Sequence, residues 1–301
     1  MLCAAIDIGS NTTRVLVAEP TQGKLRKVME QRAYTRIGKD SQHDGAVDDD
    51  KVAEVAETVA TQVRLAQELG PAATRVVATA AIREAANRDQ IVAEIARVAG
   101  VSVDVLSEHE EGRLAFLGAI KTLGHPVEGD VGVVDVGGGS SEVVLGNVEE
   151  GVGSVRSFKI GSGQLADDFL SNDPPSPAEL RAVREHIAGF FDGVGFEQPA
   201  QAVAVGGSAT SLRAVVGAVL EYETLERAMR VLTGDPIAEV AKRFELDPRR
   251  VRILPTGALL LEKLSELLGK PLQIGKGGLR EGIILDMLNG AANSARQATR
   301  A

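Results

Sequence analysis

A motif that occurs twice constrains the fold of this 301-residue chain more than any other feature. Residues 5–18 (AIDIGSNTTRVLVA) and residues 133–146 (VVDVGGGSSEVVLG) align without gaps. Each copy has an apolar run that contains one aspartate, then a polar turn with glycine, then a second apolar run. This pattern predicts a strand, a tight turn and a returning strand, with Asp7 and Asp135 at equivalent ends of the first strand. Two copies predict two similar domains that face each other.

The segments around the two hairpins alternate between helical and strand patterns, which is typical of an α/β protein. Gly124-His125-Pro126 is a plausible junction, so the expected domains are residues 1–123 and 124–301. Before the junction we predict helices over 49–69, 83–99 and 108–123, and strands over 75–80 and 101–106. After the second hairpin we predict strands near 155–160 and over 202–205, a helix over 177–191, and mostly helices from there to the end.

Composition excludes several classes of function. The net charge is −9 and aromatic residues make up only 3%, with no tryptophan, which disfavours nucleic-acid and anionic-lipid partners. The only cysteine, Cys3, cannot form an internal disulfide and is expected in the core, which fits a reducing compartment. The N-terminus has neither a signal-peptide nor a membrane-span pattern, so we expect a cytoplasmic protein. The histidines lack metal-ligand spacing and are expected at the surface: His43, His109, His125 and His186.

The two polar turns are candidate phosphate cradles. Glycines let backbone N–H groups approach an anion closely, and hydroxyl and amide side chains add donors, in GSNTT at 9–13 and GGGSS at 137–141. A glycine-rich hairpin is usually only a turn. Two copies with an aspartate at the same offset favour function, because paired carboxylates across a cleft suit a hydrated Mg²⁺.

Three other elements allow a functional and a structural interpretation. Gly206-Gly207 opens a predicted helix that could bind an anion at its N-terminus, or Ser208 could be an ordinary N-cap. Ser107 and Glu110 form a capping-box pattern, which leaves Glu111 either as a base at the rim of a cleft or as a favourable charge on the helix dipole. Arg83 could reach into a crevice at the end of a strand or be solvated. No nucleophile motif is evident, so water activated by a carboxylate and a metal is the chemistry that these residues best allow.

Five ordered motifs resemble one family across nearly the whole chain. They are D-x-G-S-N-T at 7–12, T-A-A-I-R-E-A at 79–85, S-x-x-E-E-G-R at 107–113, D-V-G-G-G-S-S-E at 135–142 and L-R-E-G at 279–282. The chain is similar to the exopolyphosphatase and guanosine pentaphosphate phosphohydrolase family, within the sugar kinase, heat-shock and actin ATPase superfamily. The resemblance implies an α/β fold of two ribonuclease H-like domains with the active site in the cleft between them.

The resemblance also implies roles for individual residues. Glu111 matches the catalytic base, Asp135 and Glu142 match the positions that bind or orient Mg²⁺ (or Mn²⁺), and Asp7 faces them from the first domain. Arg83 matches a phosphate-contacting arginine. The remaining phosphate-binding positions are Gly9, Ser10, Asn11, Thr12 and Thr13, then Gly137, Gly138, Gly139 and Ser140, then Gly207, Ser208, Ala209 and Thr210.

The implied activity is release of terminal phosphate from inorganic polyphosphate, and the alternative is removal of the 5′ phosphate of guanosine pentaphosphate. The C-terminal helical domain of longer family members is missing after LREGIILDML, which predicts a preference for short chains. Glu108 stands where the family usually has glycine, and adds negative charge near a polyanionic substrate. More distant alternatives are a kinase of the same superfamily and a non-catalytic, nucleotide-responsive regulator. A homodimer is the general expectation for a soluble oligomer, and nothing in the chain specifies one.

Overall fold

The computed structural model describes residues 1–21, 24–37, 45–125 and 127–298. The chain divides into two compact units. The first unit comprises Met1–Gly124 and Gly277–Ala301, and the second comprises His125–Lys276.

The first unit is a mixed sheet with helices packed against it. Its strands, among the described residues, are β1 (Cys3–Ile8), β2 (Thr13–Thr21), β3 (Lys24–Ala33), β4 (Ala73–Ala78) and β5 (Val103–Val105). Its helices are α1 (Asp49–Gln67), α2 (Ala80–Arg83), α3 (Arg88–Ala99), α4 (Glu108–Thr122) and, from the end of the chain, α11 (Leu279–Ala298). The strand order is β3-β2-β1-β4-β5, in which β1, β2 and β3 pair antiparallel and β4 and β5 continue parallel to β1.

The second unit repeats that topology. Its described strands are β6 (Asp130–Val136), β7 (Ser141–Asn147), β8 (Gly151–Phe158), β9 (Gln201–Val205), β10 (Val219–Leu220) and β11 (Leu272–Ile274). Its helices are α5 (Ser162–Phe169), α6 (Pro177–Phe190), α7 (Gly206–Val216), α8 (Tyr222–Gly234), α9 (Ile237–Phe244) and α10 (Pro248–Leu268). The order β8-β7-β6-β9-β11 matches the first sheet strand for strand, and β10 adds an antiparallel strand at the β11 edge. The two similar domains expected from the repeat are therefore confirmed as two sheets of one topology.

Most of the predicted elements are confirmed to within a few residues at their ends. The predicted helix over 83–99 begins too early, because α3 covers only Arg88–Ala99 and Arg83 is the last residue of the separate short helix α2. Four described elements were not predicted: β3, α5, β10 and β11. β3 is an edge strand whose residues are mostly exposed and charged, so it lacks the apolar alternation by which a strand is identified.

The end of the chain lies in a different unit from the expected one. The predicted second domain was 124–301, but residues 277–301 belong to the first unit. Here α11 lies against α4 with glycines at the contact: a Cβ built on Gly118 would fall 1.9 Å from the carbonyl oxygen of Gly278, and one built on Gly282 would fall 1.8 Å from that of Leu114. Backbone contact this close requires glycine and fixes α11 on the first unit. Periodicity alone does not show which sheet a helix covers.

The expectations for isolated residues are also confirmed where they can be checked. Cys3 is fully buried, and His109, His125 and His186 are exposed. His43 and Pro126, the last residue of the predicted junction, lie outside the described residues. In the described ranges, no helix is both long and apolar enough to cross a membrane.

Candidate functional site

The first predicted phosphate turn connects β1 to β2. Asp7, next to last in β1, pairs directly with Arg14 of β2, and the N–H of Gly9 donates to the carbonyl of Thr12 at 3.0 Å. A Cβ on Gly9 would lie 3.3 Å from that carbonyl oxygen, so the turn is as tight as the sequence predicts. Gly9, Ser10 and Asn11 are partly exposed, whereas Thr12 and Thr13 are buried.

The hydroxyl of Thr13 takes part in the interior of the unit. It forms a 3.0 Å hydrogen bond with the hydroxyl of Thr35, and both residues are at most 1% exposed. The amide of Gln62 donates to the Thr13 carbonyl at 3.1 Å. The Thr13 side chain thus holds the base of the turn, and the partly exposed residues of the turn are Gly9, Ser10 and Asn11.

Two arginines, Arg14 and Arg280, lie close enough to Asp7 to act on its carboxyl. Burial raises the pKa of the Asp7 carboxyl, and the neighbouring guanidinium groups of Arg14 and Arg280 partly offset that effect. The Arg14 Nε also donates to the Thr12 hydroxyl at 3.0 Å, at the end of the turn. The Asp7 Oδ1 atom is buried and has no hydrogen-bond partner among the described residues. The first turn therefore has two arginines close to its aspartate.

Arg83 and Glu111 come from separate motifs and meet in the structure. Arg83 ends α2, and Glu111 lies in the first turn of α4, whose N-cap is Ser107. The Arg83 Nη1 donates to Glu111 Oε2 at 2.7 Å and to the Leu106 carbonyl at 3.0 Å. Both side chains are largely buried, with exposed fractions of 14% and 11%. The predicted phosphate contact and the predicted base therefore form one ion pair.

The neighbouring Glu110 is placed differently. Ser107 accepts a hydrogen bond from the Glu110 N–H, so the cap is confirmed, but the Glu110 carboxylate pairs with Arg113 at 2.8 Å. Arg113 also contacts Asp286 of α11 at 2.8 Å. Glu110 thus forms an ion pair within α4, and Arg113 extends this pair to Asp286 of α11.

The second turn connects β6 to β7 and carries a different pair. Asp135 lies directly opposite Glu142, and the N–H of Gly137 donates to the Ser140 carbonyl at 2.9 Å. Glu142 is only 5% exposed and accepts a hydrogen bond from the Ser157 hydroxyl at 3.2 Å. Residues directly opposite on antiparallel strands lie on the same face of the sheet with Cβ atoms about 5 Å apart. Two carboxylates therefore share this face.

Gly206 fits beneath the Asp135 carboxylate. Its φ is +82°, and a Cβ built on it would lie 2.1 Å from Asp135 Oδ1. Both the backbone conformation and the space require glycine at the start of α7. The chain thus brings the first turn of α7 close to the Asp135 carboxylate.

The carbonyl groups of the second turn are held by α5. Gly137 O accepts from the Ser162 N–H at 2.9 Å, and Gly138 O accepts from the N–H groups of Gly163 and Gln164, each at 2.9 Å. In a trans peptide the C=O of one residue and the N–H of the next point in opposite directions. The N–H groups of Gly138 and Gly139 therefore point away from α5, in the arrangement that binds anions.

At α7 the structure corrects one prediction and qualifies another. Ser208 is not the N-cap, because the helix begins at Gly206 with Val205 as its cap. The Ser208 hydroxyl is fully buried and donates to the Ser162 hydroxyl at 3.2 Å. The Thr210 hydroxyl donates to the Gly206 carbonyl at 2.8 Å, and Ala209 is buried. The contribution that α7 can make to phosphate binding is therefore its first-turn N–H groups, with Gly207 among them.

Asp135 and Glu142 fit a hydrated divalent cation. Mg²⁺ keeps several waters and is usually held by one or two carboxylates together with substrate phosphates. Within the described ranges, no group of three or more His, Cys, Asp or Glu side chains could hold a metal, so a fully protein-bound ion does not fit. The two carboxylates of Asp135 and Glu142 fit a Mg²⁺ ion that keeps most of its water ligands.

Two residues with clear positions in these sites were given no role from the sequence, although Arg280 is one of several basic residues beside the glycine-rich elements. Arg280, whose guanidinium acts on Asp7, lies in the L-R-E-G motif, and that motif was the available signal. Ser162, which contacts both the second turn and Ser208, follows no motif that identifies it. Only the three-dimensional contacts reveal its position.

The chain is similar to several known proteins over most of its length. Residues 16–291 match the model of the Ppx/GppA phosphatase family. The chain is 29% identical over 308 positions to exopolyphosphatase 2 of Mycobacterium tuberculosis, covering 94% of this chain and 96% of that protein. It is 27% identical to exopolyphosphatase 1 of Mycobacterium leprae, covering 97% and 91%. The crystal structure of the Aquifex aeolicus Ppx/GppA family member superposes with a TM-score of 0.80 at 30% identity, covering 97% of this chain and 98% of that one.

Proposed function

Because the chain belongs to the Ppx/GppA phosphatase family, we propose that it is an exopolyphosphatase that releases terminal orthophosphate from inorganic polyphosphate. The two mycobacterial relatives named as exopolyphosphatases, at 29% and 27% identity over nearly their full lengths, support this substrate. The preference for short chains that the sequence predicts is part of the proposal. Family membership makes the protein a phosphatase, and polyphosphate is the finer assignment that needs a test.

The contact between Arg83 and Glu111 carries the proposal. A hydrolase that uses water needs a base beside a group that holds the phosphate, and the 2.7 Å ion pair joins the two candidates. The pair is largely enclosed, so electrostatic interactions within it are stronger than in bulk water. A non-catalytic regulator would have no need of a base at this position.

In the proposed reaction, a water molecule attacks the terminal phosphorus in line with the bridging oxygen. A P–O bond forms to the water, the bridging P–O bond breaks, and Glu111 accepts the water proton. Arg83 turns its guanidinium toward the phosphoryl oxygens while it keeps Glu111 oriented. Phosphoryl transfer has a loose transition state, so positioning and charge neutralisation supply most of the acceleration. The base contributes about 10²- to 10⁴-fold.

Asp135 and Glu142 would hold a hydrated Mg²⁺ or Mn²⁺, which supplies positive charge for the phosphoryl oxygens when it is bound. Asp7 is a weaker ligand candidate because Arg14 and Arg280 act on its carboxyl. The N–H groups of Gly138 and Gly139, held outward by α5, would donate to phosphate oxygens. The first-turn N–H groups of α7 would add further donors.

The test is release of orthophosphate by wild type and two variants of adjacent residues. Wild type is incubated with Mg²⁺ and, separately, short polyphosphate, long polyphosphate, guanosine pentaphosphate and ATP. We expect the highest kcat/KM on short polyphosphate. Glu111→Gln should lower kcat by about 10²- to 10⁴-fold, because the base is lost while shape and size are kept. Glu110→Gln is the matched control and should stay within about threefold of wild type, since its carboxylate contacts Arg113.

Other outcomes contradict parts of the proposal. Equal loss in Glu110→Gln and Glu111→Gln would mean that α4 is damaged as a helix and would remove the evidence for a base. A higher kcat/KM on guanosine pentaphosphate would assign the site to that nucleotide. Absence of turnover on all four substrates would reject the exopolyphosphatase assignment.

A further inference from the structure

Ser162 connects two of the elements assigned to phosphate binding in the second unit. It is the first residue of α5 and is 1% exposed. Its N–H and its hydroxyl both donate to the Gly137 carbonyl, at 2.9 and 3.0 Å. The same hydroxyl accepts a hydrogen bond from the Ser208 hydroxyl of α7 at 3.2 Å. The 137–140 turn and the first turn of α7 are thus joined through one buried oxygen.

The hydrogen bonds run in one direction. Ser208 donates to Ser162, and Ser162 donates to Gly137. Each donor has one acceptor, so neither buried hydroxyl carries the cost of an unsatisfied polar group. Because the Gly137 carbonyl is held on this side, the N–H of Gly138 in the same peptide plane points to the opposite side.

The packing around these hydroxyls leaves no room for larger side chains. A Cβ built on Gly161 would lie 2.4 Å from the Gly138 carbonyl carbon, and one built on Gly257 would lie 2.7 Å from the Ser208 hydroxyl. Such close contact keeps the turn, α5 and α7 in a fixed arrangement. A closely packed interior transmits strain from a small local change, so the loss of one hydroxyl should alter the position of the turn relative to α7.

We propose that Ser162 is a positioning residue that sets the 137–140 turn against the first turn of α7, so that both sets of N–H groups address the same phosphate. The assignment rests on the proposed function. Ser162 touches no substrate in this account. It acts through the Gly137 carbonyl and the Ser208 hydroxyl, and its effect is on phosphate binding.

The primary variant is Ser162→Ala, which removes the hydroxyl and keeps the backbone donor. We expect kcat/KM on short polyphosphate to fall about tenfold, mostly through KM, because both hydrogen bonds of the Ser162 hydroxyl are lost while the Ser162 N–H still donates to the Gly137 carbonyl. The inhibition constant of orthophosphate should rise by a similar factor. Ser208→Ala breaks the same connection from the other side, and Ser162→Ala/Ser208→Ala should be little worse than Ser162→Ala alone, because the two residues act as one unit.

Thr256→Val is the matched control. The Thr256 hydroxyl is fully buried and donates to the Ser162 carbonyl at 2.7 Å, with the Ile253 carbonyl as a second acceptor at 2.9 Å; among the described residues, no hydrogen bond joins this hydroxyl to the turn or to α7. It should lower the thermal midpoint at least as much as Ser162→Ala while leaving KM and phosphate inhibition unchanged. If Ser162→Ala lowers only the thermal midpoint, as the control does, the positioning role is overturned. Additive losses in the double variant would also overturn it.

Failure of the proposed function can be told apart from failure of this inference. Orthophosphate binding is measured by calorimetry in wild type and all four variants, which requires no turnover. If wild type binds phosphate without hydrolysing polyphosphate, the substrate assignment fails, and weaker binding by Ser162→Ala still supports the positioning role. If Ser162→Ala does not fold, Ser208→Ala decides by the same measurements.

Discussion

The 9–12 turn of the first unit and the 137–140 turn of the second are built on the same backbone plan. In each, a glycine N–H donates to the carbonyl three residues later, at 3.0 Å in the first turn and 2.9 Å in the second. The first residue of the returning strand has a buried hydroxyl that reaches the chain two residues beyond the third strand. Thr13 bonds to Thr35 in this way, and Ser141 donates to the Ile160 carbonyl at 2.7 Å.

The two turns differ in the charge beside their aspartates. Arg14 lies opposite Asp7, whereas Glu142 lies opposite Asp135. One scaffold therefore carries a cationic neighbourhood in the first unit and a pair of carboxylates in the second. The comparison teaches that repetition of the backbone does not imply repetition of the side chains, and we propose that the first turn suits an anion and the second a cation together with an anion.

The two turns are also held in different ways. Among the described residues, the Arg36 N–H donates to the Asn11 carbonyl at 3.2 Å, which leaves the Thr12 N–H pointing to the other side. In the second unit, the first turn of α5 supplies four hydrogen bonds to the Gly137 and Gly138 carbonyls. The second turn is thereby held at two consecutive peptide groups, and we expect it to contribute more to the alignment of a bound phosphate.

The largest expected effect follows from removing one carboxylate of the second turn. Glu142→Gln should lower kcat by about 10²- to 10⁴-fold, because several kcal/mol of charge stabilisation are lost with the metal site. Asp130→Asn is the control, since it changes a carboxylate at the other end of β6 that contacts Asn147. Steady-state kinetics with varied Mg²⁺ measures both. A kcat for Glu142→Gln within about threefold of wild type would break the comparison.

The equivalent change in the first turn should act on binding. Arg14→Gln removes a positive charge beside Asp7 and the Thr12 hydroxyl. A hydrogen bond to a charged group contributes about 1.5–3 kcal/mol. If the Arg14 guanidinium helps to bind a phosphate at this turn, its loss should raise KM about 10- to 100-fold with a smaller change in kcat. If the loss were in kcat alone, with an altered Mg²⁺ requirement, the first turn would have the role assigned to the second.

The two buried hydroxyls should have matching effects on stability. Thr13→Val and Ser141→Ala should each lower the free energy of unfolding by about 1–3 kcal/mol, because a buried partner is left unsatisfied. Replacing both threonines in Thr13→Val/Thr35→Val should recover part of the loss, since no polar partner is then left buried. Thr58→Val, at an exposed hydroxyl of α1, serves as the control in urea denaturation. A large difference between Thr13→Val and Ser141→Ala would show that the two turns are supported unequally.

The smallest effect concerns the charges that hold Arg280 near Asp7. Burial alone would raise the pKa of Glu30, but Arg280 and Lys27 outweigh it and lower the pKa to about 2. An acid with a lowered pKa stabilises the fold above its ordinary value of 4.5 and loses that contribution as the pH falls toward 2. Because the Glu30 side chain is 40% exposed, Glu30→Gln should cost at most about 1 kcal/mol near pH 7.

The free energy of unfolding, measured from pH 7 to pH 2, tests whether the contribution of Glu30 falls as the pH falls. The difference between wild type and Glu30→Gln should be largest above pH 4.5 and should shrink toward pH 2. A difference that is constant with pH would mean that Glu30 acts through packing, with no contribution from its charge.

The parts of the molecule that the sequence predicts are those set by local pattern. The two hairpins, with Asp7 and Asp135 at matching ends, follow from apolar runs separated by polar turns. The α/β class follows from the alternation of periods. The sequence predicts that Arg83 and Glu111 belong to one site, but it does not predict their contact, because nothing in residues 79–85 or 107–113 gives a distance.

The parts that it does not predict depend on packing between distant segments. α5 is a helix of eight residues that follows glycine, and its first turn is fixed by the carbonyls of a turn about 25 residues earlier. Ser208 has the residue type of an N-cap, yet Gly206 fits the space beside the Asp135 carboxylate and the helix begins there, two residues before Ser208. The assignment of α11 to the first unit depends on the contacts of Gly118 and Gly282 with carbonyls of the facing helix.

The most direct test of the division of roles between the two turns is metal binding to variants of their aspartates. Mn²⁺ takes the same carboxylate and water ligands as Mg²⁺ and can be followed by electron paramagnetic resonance in the presence of orthophosphate. Wild type, Asp135→Asn and Asp7→Asn are titrated under identical conditions. The account predicts that Asp135→Asn loses Mn²⁺ binding while Asp7→Asn stays within about threefold of wild type, since Asp7 has arginine neighbours. Loss of Mn²⁺ binding in Asp7→Asn with retention in Asp135→Asn would contradict it.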